Sequence, residues 1–410
     1  MENFQPNPVY GISLDFMIVD AETMMPLPLG GQLMKDAGVA GSQSLVRGLI
    51  TWKSRPQPHM IRMATTRPEH NLNGVDFGIA DEVRAANLLL AQHKACLMPG
   101  GIHPLAAAHK LRYDQPTAGQ RMFSRYFSCT GHGWVNTCSA LVDVPLTDDE
   151  SFARLSAAVR IVLPLIPALT ASSPLLEGKA TGRRTNRLEL DRLRFTARPQ
   201  LYGNLIPEAV FTEQRYRETV FAEILAAFLK PGETSEQNEL LPERLNRRGA
   251  VPLFSEKAMQ IRLADPQECA AADMAVFKLV IEVLRAMEQE RFCSFEEQVR
   301  AQIGDLTGIL RDGAEKGMQA EVISSQYLSF FGMDGPATIG SIWQHLFDVL
   351  SNDPVRPLSM YDHELSVILE QGSLADRILT VLGENPRPSE TVALWRRLCD
   401  CLDQNRLLIL

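Results

Sequence analysis

Hydrophobic and polar positions alternate early in the chain. Ile12, Leu14, Phe16 and Ile18 are separated by Ser13, Asp15 and Met17, the two-residue period of a strand. A strand over residues 9–20 therefore carries Ser13 and Asp15 on one face. Residues 73–80 show the same alternation, with Val75, Phe77 and Ile79 opposite Asp76, and predict a second strand. From residue 81 to 98 the spacing becomes helical through Val83, Leu88, Leu90 and Ala91. Pro99-Gly100-Gly101 is expected to end that helix and deliver His103-Pro104.

Residues 137–146 predict a further strand, with Cys138, Ala140, Val142 and Val144 on one face. Thr147-Asp148-Asp149-Glu150 has the form of a capping box, and Pro164 and Pro167 are expected to kink or end the helix it opens. An amphipathic helix over 211–229 stops at Pro231-Gly232, and the polar stretch 234–248 is expected at the surface. Residues 259–264 alternate as a strand, with Gln260 and Arg262 on the polar face, and 270–290 form a long helix. Beyond residue 295 the pattern is helical throughout, over 295–310, 321–330, 339–350, 361–382 and 391–402. The organisation is α+β: residues 1–292 carry the strands, and residues 293–410 form a helical C-terminal region packed on the same domain.

Composition adds exclusions. The 410 residues are 45% hydrophobic and carry a net charge of -8, without the long basic run of a nucleic-acid surface. Arg183-Arg184 and Arg247-Arg248 are short basic pairs, suited to solvent or to a small anionic ligand. The polar first eight residues lack a secretory pattern. No stretch reaches the ~18 consecutive apolar residues of a membrane span, so no membrane association is expected. Seven scattered cysteines, an odd number, point to reduced thiols and a cytoplasmic location. Cys129, His132 and Cys138 match no zinc spacing and are expected to be buried groups.

Phosphate-binding glycine loops and nucleophile-elbow motifs do not occur. The informative residues are an ordered set on successive segments. Gly11-Ile12-Ser13-Leu14-Asp15-Phe16, followed by apolar residues and Asp20, resembles the opening strand of the glutamate–cysteine ligase family, which reads Gly-x-Glu-x-Glu-Phe. Val75-Asp76-Phe77 is similar to that family's second strand and Gly101-Ile102-His103-Pro104 to its Gly-x-His-Pro turn. Residues 163–182 with Asn186-Arg187 resemble its Ser-Pro, Glu-Gly, Thr-Gly and Arg block, and residues 259–265 its late Glu-x-Arg-x-x-Asp strand.

The resemblance implies a largely antiparallel sheet forming a glutamine-synthetase-like catalytic cleft, covered by helices. It also implies ATP-dependent carboxylate–amine ligation: a carboxylate is activated as an acyl phosphate and an amine attacks it. ATP and magnesium are the implied cofactors, and an amino acid or peptide the substrate, with a homo-oligomer left open. Asp15, Asp76 and Gln260 fall at the magnesium and ATP positions, and Arg187 and Arg262 at catalytic, anion-holding positions, where a guanidinium fork suits phosphate and carboxylate. His103, Asp143 and Arg187 fall at substrate positions. Ser13 and Gln260 are neutral where the family has carboxylates, which halves the ligand charge. That leaves a second reading: a catalytically degenerate member acting as a ligand- or protein-binding pseudoenzyme.

Overall fold

The computed structural model describes residues 9–114, 124, 126–229, 241–355 and 357–410. Its centre is an antiparallel sheet of eight strands: β1 (Gly11–Asp20), β2 (Ser44–Arg47), β3 (Ile50–Ser54), β4 (Met60–Thr65), β5 (Ala95–Met98), β6 (Ala140–Pro145), β9 (Ala250–Leu253) and β10 (Ala258–Ala264). The short pairs β7 (Leu175–Leu176) with β8 (Lys179–Ala180), and β11 (Glu321–Val322) with β12 (Ala337–Thr338), lie outside it. Along the sheet the order is β2-β3-β4-β1-β6-β10-β9, and β5 pairs with the far half of β1. The expected α+β architecture with an antiparallel sheet is what the chain adopts.

The alternation of β1 sorts its side chains by face. Ile12, Leu14, Phe16 and Ile18 enter a large apolar core, together with Val75, Ile79 and Val83 from helix Val75–Ala91 and much of helix Ala270–Glu288. The opposite face carries Ser13 and Asp15: Asp15 pairs across the ladder with Arg62, while Ser13 lies between Ala64 and Leu141.

Several local expectations change. Residues 73–80 are not a strand: helix Val75–Ala91 begins there after Gly74, which has φ 80°. Val75, Ile79, Val83, Ala86 and Leu90 form its buried stripe, while Phe77 is 63% exposed, so the apparent alternation was the first turn of a helical period. The helix ends at Ala91, and residues 95–98 are β5. The cap before residue 149 is Asp148 with Ser151, not Thr147 with Glu150.

The α-helix opened at Asp149 ends at Val162, as Pro164 and Pro167 predict, but the chain continues helically past both of them. Each sits at the first turn of a new helical segment, Leu163–Leu165 and Ile166–Thr170, where a missing N–H does no harm. The run Asp149–Thr170 is consequently long and apolar enough to cross a membrane, with 89% of that window buried inside the protein. The 211–229 helix is divided among Glu213–Tyr216, a π-turn at Arg217–Phe221, and Ala222–Ala226. Of the polar 234–248 stretch, residues 234–240 lie outside the described residues; Leu241 and Arg244 are exposed as expected, but the end of the stretch turns inward. Helix Pro242–Leu245 is followed by buried Asn246 and Arg248. In the C-terminal region, helix Ile303–Lys316 packs on Leu163–Leu165, and helix Pro388–Gln404 packs on Val75–Ala91 and β5.

Candidate functional site

The polar face of the sheet forms the floor of a cleft of about 670 Å³. Lys53, Arg55, Arg62, Arg187, Arg194, Arg244, Arg247, Arg248 and Arg262 all line it. Strand register assembles the floor. Lys53 on β3 is opposite Arg62 on β4, Arg62 is opposite Asp15 on β1, and Gln260 on β10 is opposite Asp143 on β6. Trp134 and Phe195 form an apolar wall, on which the Arg194 guanidinium stacks at 4.9 and 4.7 Å from the ring centroids; Arg247 stacks on Phe195 at 5.2 Å. A larger groove of about 1190 Å³ lies elsewhere, between residues 180–184, 338–344 and 369–385. There Arg184 is paired with Asp376 at 2.6 Å.

Asp15 is fully buried and saturated. Arg62 donates to both its oxygens at 2.8 Å, Arg55 lies at 3.2 Å, and the Ser139 N–H donates at 3.1 Å. Burial alone would push this carboxyl up; the two guanidinium groups and the N–H hold it below the ordinary value. Gln260 donates to Asp143 at 2.8 Å and accepts from Arg262 Nε at 2.8 Å. Arg262 also donates to the Asn246 carbonyl at 2.7 Å. Among the described residues no carboxylate pairs with Arg262, and burial pushes it down to about 10. Burial raises the Asp143 carboxyl. Gly11 makes room for that carboxylate, since a Cβ there would meet Asp143 Oδ2 at 2.7 Å.

Other expected site residues fall elsewhere or are engaged internally. Asp76 lies in the first turn of helix Val75–Ala91, on the apolar side of the sheet, where the Tyr361 hydroxyl donates to it at 3.4 Å. It does not join Asp15 and Gln260. His103 is buried away from the cleft. Its Nε2 donates to the Met24 carbonyl at 2.6 Å, and its Nδ1 accepts from the Leu105 and Ala106 N–H groups at 3.1 and 3.0 Å. Burial lowers it to about 4, so a neutral ring holds the turn.

Arg187 reaches the cleft wall at 1% exposure with its donors engaged: Nε to Asp265 at 2.5 Å, one terminal nitrogen to Asp191 at 3.1 Å, the other to the Leu263 carbonyl at 2.8 Å. Asp265 also accepts from the hydroxyls of Ser173 and Thr185 and from the Ser172 N–H. The Ser-Pro to Arg block thus ties the loop at 172–187 to the end of β10. Sequence reading missed Arg55, Arg62 and Arg194. Arg62 was accessible in principle, as a lone cation alternating with Ile61 and Met63.

Magnesium needs several oxygen ligands close to octahedral geometry. The donor set does not fit. Asp15 is closed by two arginines, Gln260 is held at both ends, Asp76 is across the sheet, and among the described residues no group of three or more His, Cys, Asp or Glu side chains could hold a metal ion.

Comparison with known proteins agrees with the fold. Residues 9–300 match the model of glutamate-cysteine ligase family 2. An uncharacterized protein of Archaeoglobus fulgidus is 25% identical over 395 residues, covering 96% of this chain and 98% of its own. A Salinispora arenicola protein with the provisional name glutamate–cysteine ligase 2 is 28% identical over 184 residues, 44% of this chain and 46% of its own. The crystal structure of the Francisella tularensis glutamate–cysteine ligase in complex with AMP superposes with a TM-score of 0.62 at 11% identity, covering 97% of this chain and 89% of that one. With collinear strands, an antiparallel sheet and a match spanning residues 9–300, the chain belongs to glutamate-cysteine ligase family 2.

Proposed function

We propose that this protein is an ATP-dependent carboxylate–amine ligase acting on a small amino-acid or peptide substrate in the cytoplasm. One observation carries the reading beyond family membership: guanidinium groups from β4, β10 and the loop after β3 converge on the floor of a single cleft. Ligation must bring together a carboxylate and a triphosphate that repel each other, and clustered cations in a partly buried cleft offset that repulsion. The carboxylate oxygen attacks the γ-phosphorus and ADP leaves. The amine then attacks the acyl carbon, phosphate leaves, and the amine loses a proton. Arg62 and Arg262 are placed to hold the oxyanions. Asp143, which accepts from Gln260 and pairs with no arginine among the described residues, would draw in the amine. The Trp134 and Phe195 wall limits water near the acyl phosphate.

ADP release should be measured with panels of amino-acid acids and amines, starting from glutamate and cysteine, with product detection by mass spectrometry. ADP formed in step with a new amide supports the ligase. No ADP above background with any pair at millimolar concentrations ends it. A second reading, a binding protein without turnover, is favoured by the closed state of Asp15 and Gln260, and that second outcome would select it.

A further inference from the structure

We propose that the floor of the cleft captures an oxyanion, phosphate or carboxylate, directly through Arg55, Arg62 and Arg262, with guanidinium groups standing where a divalent cation would otherwise bridge. The proposal rests on the reading of this cleft as the ligase's anion site. Three guanidinium groups share this face with two carboxylates: Arg55 and Arg62 both turn to Asp15, Gln260 holds Asp143, and Arg262 has no carboxylate partner among the described residues. Two like charges beside one opposite charge leave an excess of cation in a partly buried site. A cation excess of that kind is costly unless an anion enters.

The neutral residues fit this arrangement. Gln260 accepts from Arg262 Nε and donates to Asp143, so it aims the guanidinium without neutralising it. A glutamate there would form an ion pair with Arg262 and repel Asp143. Ser13, beside Asp15 on the same face, adds no charge. Loss of carboxylates and gain of uncompensated guanidinium thus occur on one surface, and both raise its affinity for anions.

The test is calorimetric titration of the full chain with pyrophosphate, ATP and L-glutamate, each in EDTA and again with excess magnesium. Pyrophosphate or ATP should bind in EDTA, with magnesium changing Kd by less than about threefold, under 1 kcal/mol. Arg262→Gln should weaken that binding by about tenfold or more, as expected for loss of a charge-assisted hydrogen bond. Gln260→Glu, which keeps the size of the side chain and so guards against a folding artefact, should weaken it comparably. Competition by glutamate assigns the floor to the acid's carboxylate, and competition by ATP alone assigns it to phosphate. Binding that appears only with magnesium, or that is unchanged in Gln260→Glu, overturns the inference and leaves the ligase reading intact. Metal-free pyrophosphate binding without ADP release from any acid–amine pair supports the inference and ends the ligase reading.

Discussion

Arg187 and Arg262 line the same cleft, yet their surroundings differ in kind. Arg187 sits in a lock: Asp265, Asp191 and the Leu263 carbonyl take its donors, and Ser173 and Thr185 complete the shell of Asp265. Arg262 sits on a floor: its contacts are a glutamine oxygen and a backbone carbonyl. A saturated buried ion pair fixes a conformation and has little left to offer a ligand. A partly buried guanidinium held by neutral acceptors keeps its charge available. Being an arginine at a family position therefore does not decide function; the partners do. Arg248 and Arg62 are each closed by both oxygens of one carboxylate, Glu208 and Asp15 respectively, but Arg62 has to share its carboxylate with Arg55.

The comparison is sharpest when the lock is broken. Asp265→Ala leaves the Arg187 cation only its longer contact with the partly exposed Asp191 and should cost about 3 kcal/mol of stability, read as a drop in the urea midpoint. Arg187→Met, which strands Asp265, should cost a similar amount. If either is nearly neutral, the lock is not a lock.

A smaller effect is expected at Asp15. Asp15→Asn keeps the shape and an acceptor oxygen but removes the charge between Arg55 and Arg62, costing about 2 kcal/mol near pH 7. The pH dependence has a definite sign. The folded carboxyl lies below its ordinary value of 3.8, so the unfolded state binds the proton first on acidification. The stability contributed by Asp15 is complete above that ordinary value and is lost as pH falls through the lower folded value. Urea midpoints measured from pH 6 downward should fall in wild type and fall less steeply in Asp15→Asn. Parallel slopes would show that Asp15 is not the ionised partner.

The smallest stability effect belongs to the floor. Arg262→Met replaces a cation without a carboxylate partner by a side chain of similar volume, and should leave thermal stability within about 1 kcal/mol of wild type, while anion binding is lost. A loss as large as that of Asp265→Ala would erase the distinction between the two arginines.

Much of this was legible along the chain. The strand periods of β1, β6 and β10, the long helix over 270–288, and the placement of Asp15, Gln260 and Arg262 on polar faces follow from local spacing, because the side-chain period of a strand needs no tertiary information. The segment 75–80 was misread for the same reason: over six residues, three apolar positions fit either period, and only burial of Ile79 with exposure of Phe77 shows which won. The prolines at 164 and 167 mark the end of the α-helix at Val162, but that each would start a new helical segment was not legible, because packing decides it.

The sequence by itself determined that β1, β6 and β10 would be strands with polar residues on one face, and its resemblance to the family marked two carboxylate positions as neutral; β2, β3, β4, β5 and β9 were not legible in it. Only the tertiary structure decided what that face can hold. The closure of Asp15 by Arg62 spans 47 residues, that of Arg187 by Asp265 spans 78, and Asp76 was placed beyond the sheet by a helix that had looked like a strand. Local period specifies the side on which a charge emerges; whether it is neutralised there depends on cross-strand partners distant in sequence, and that neutralisation separates a lock from a binding floor.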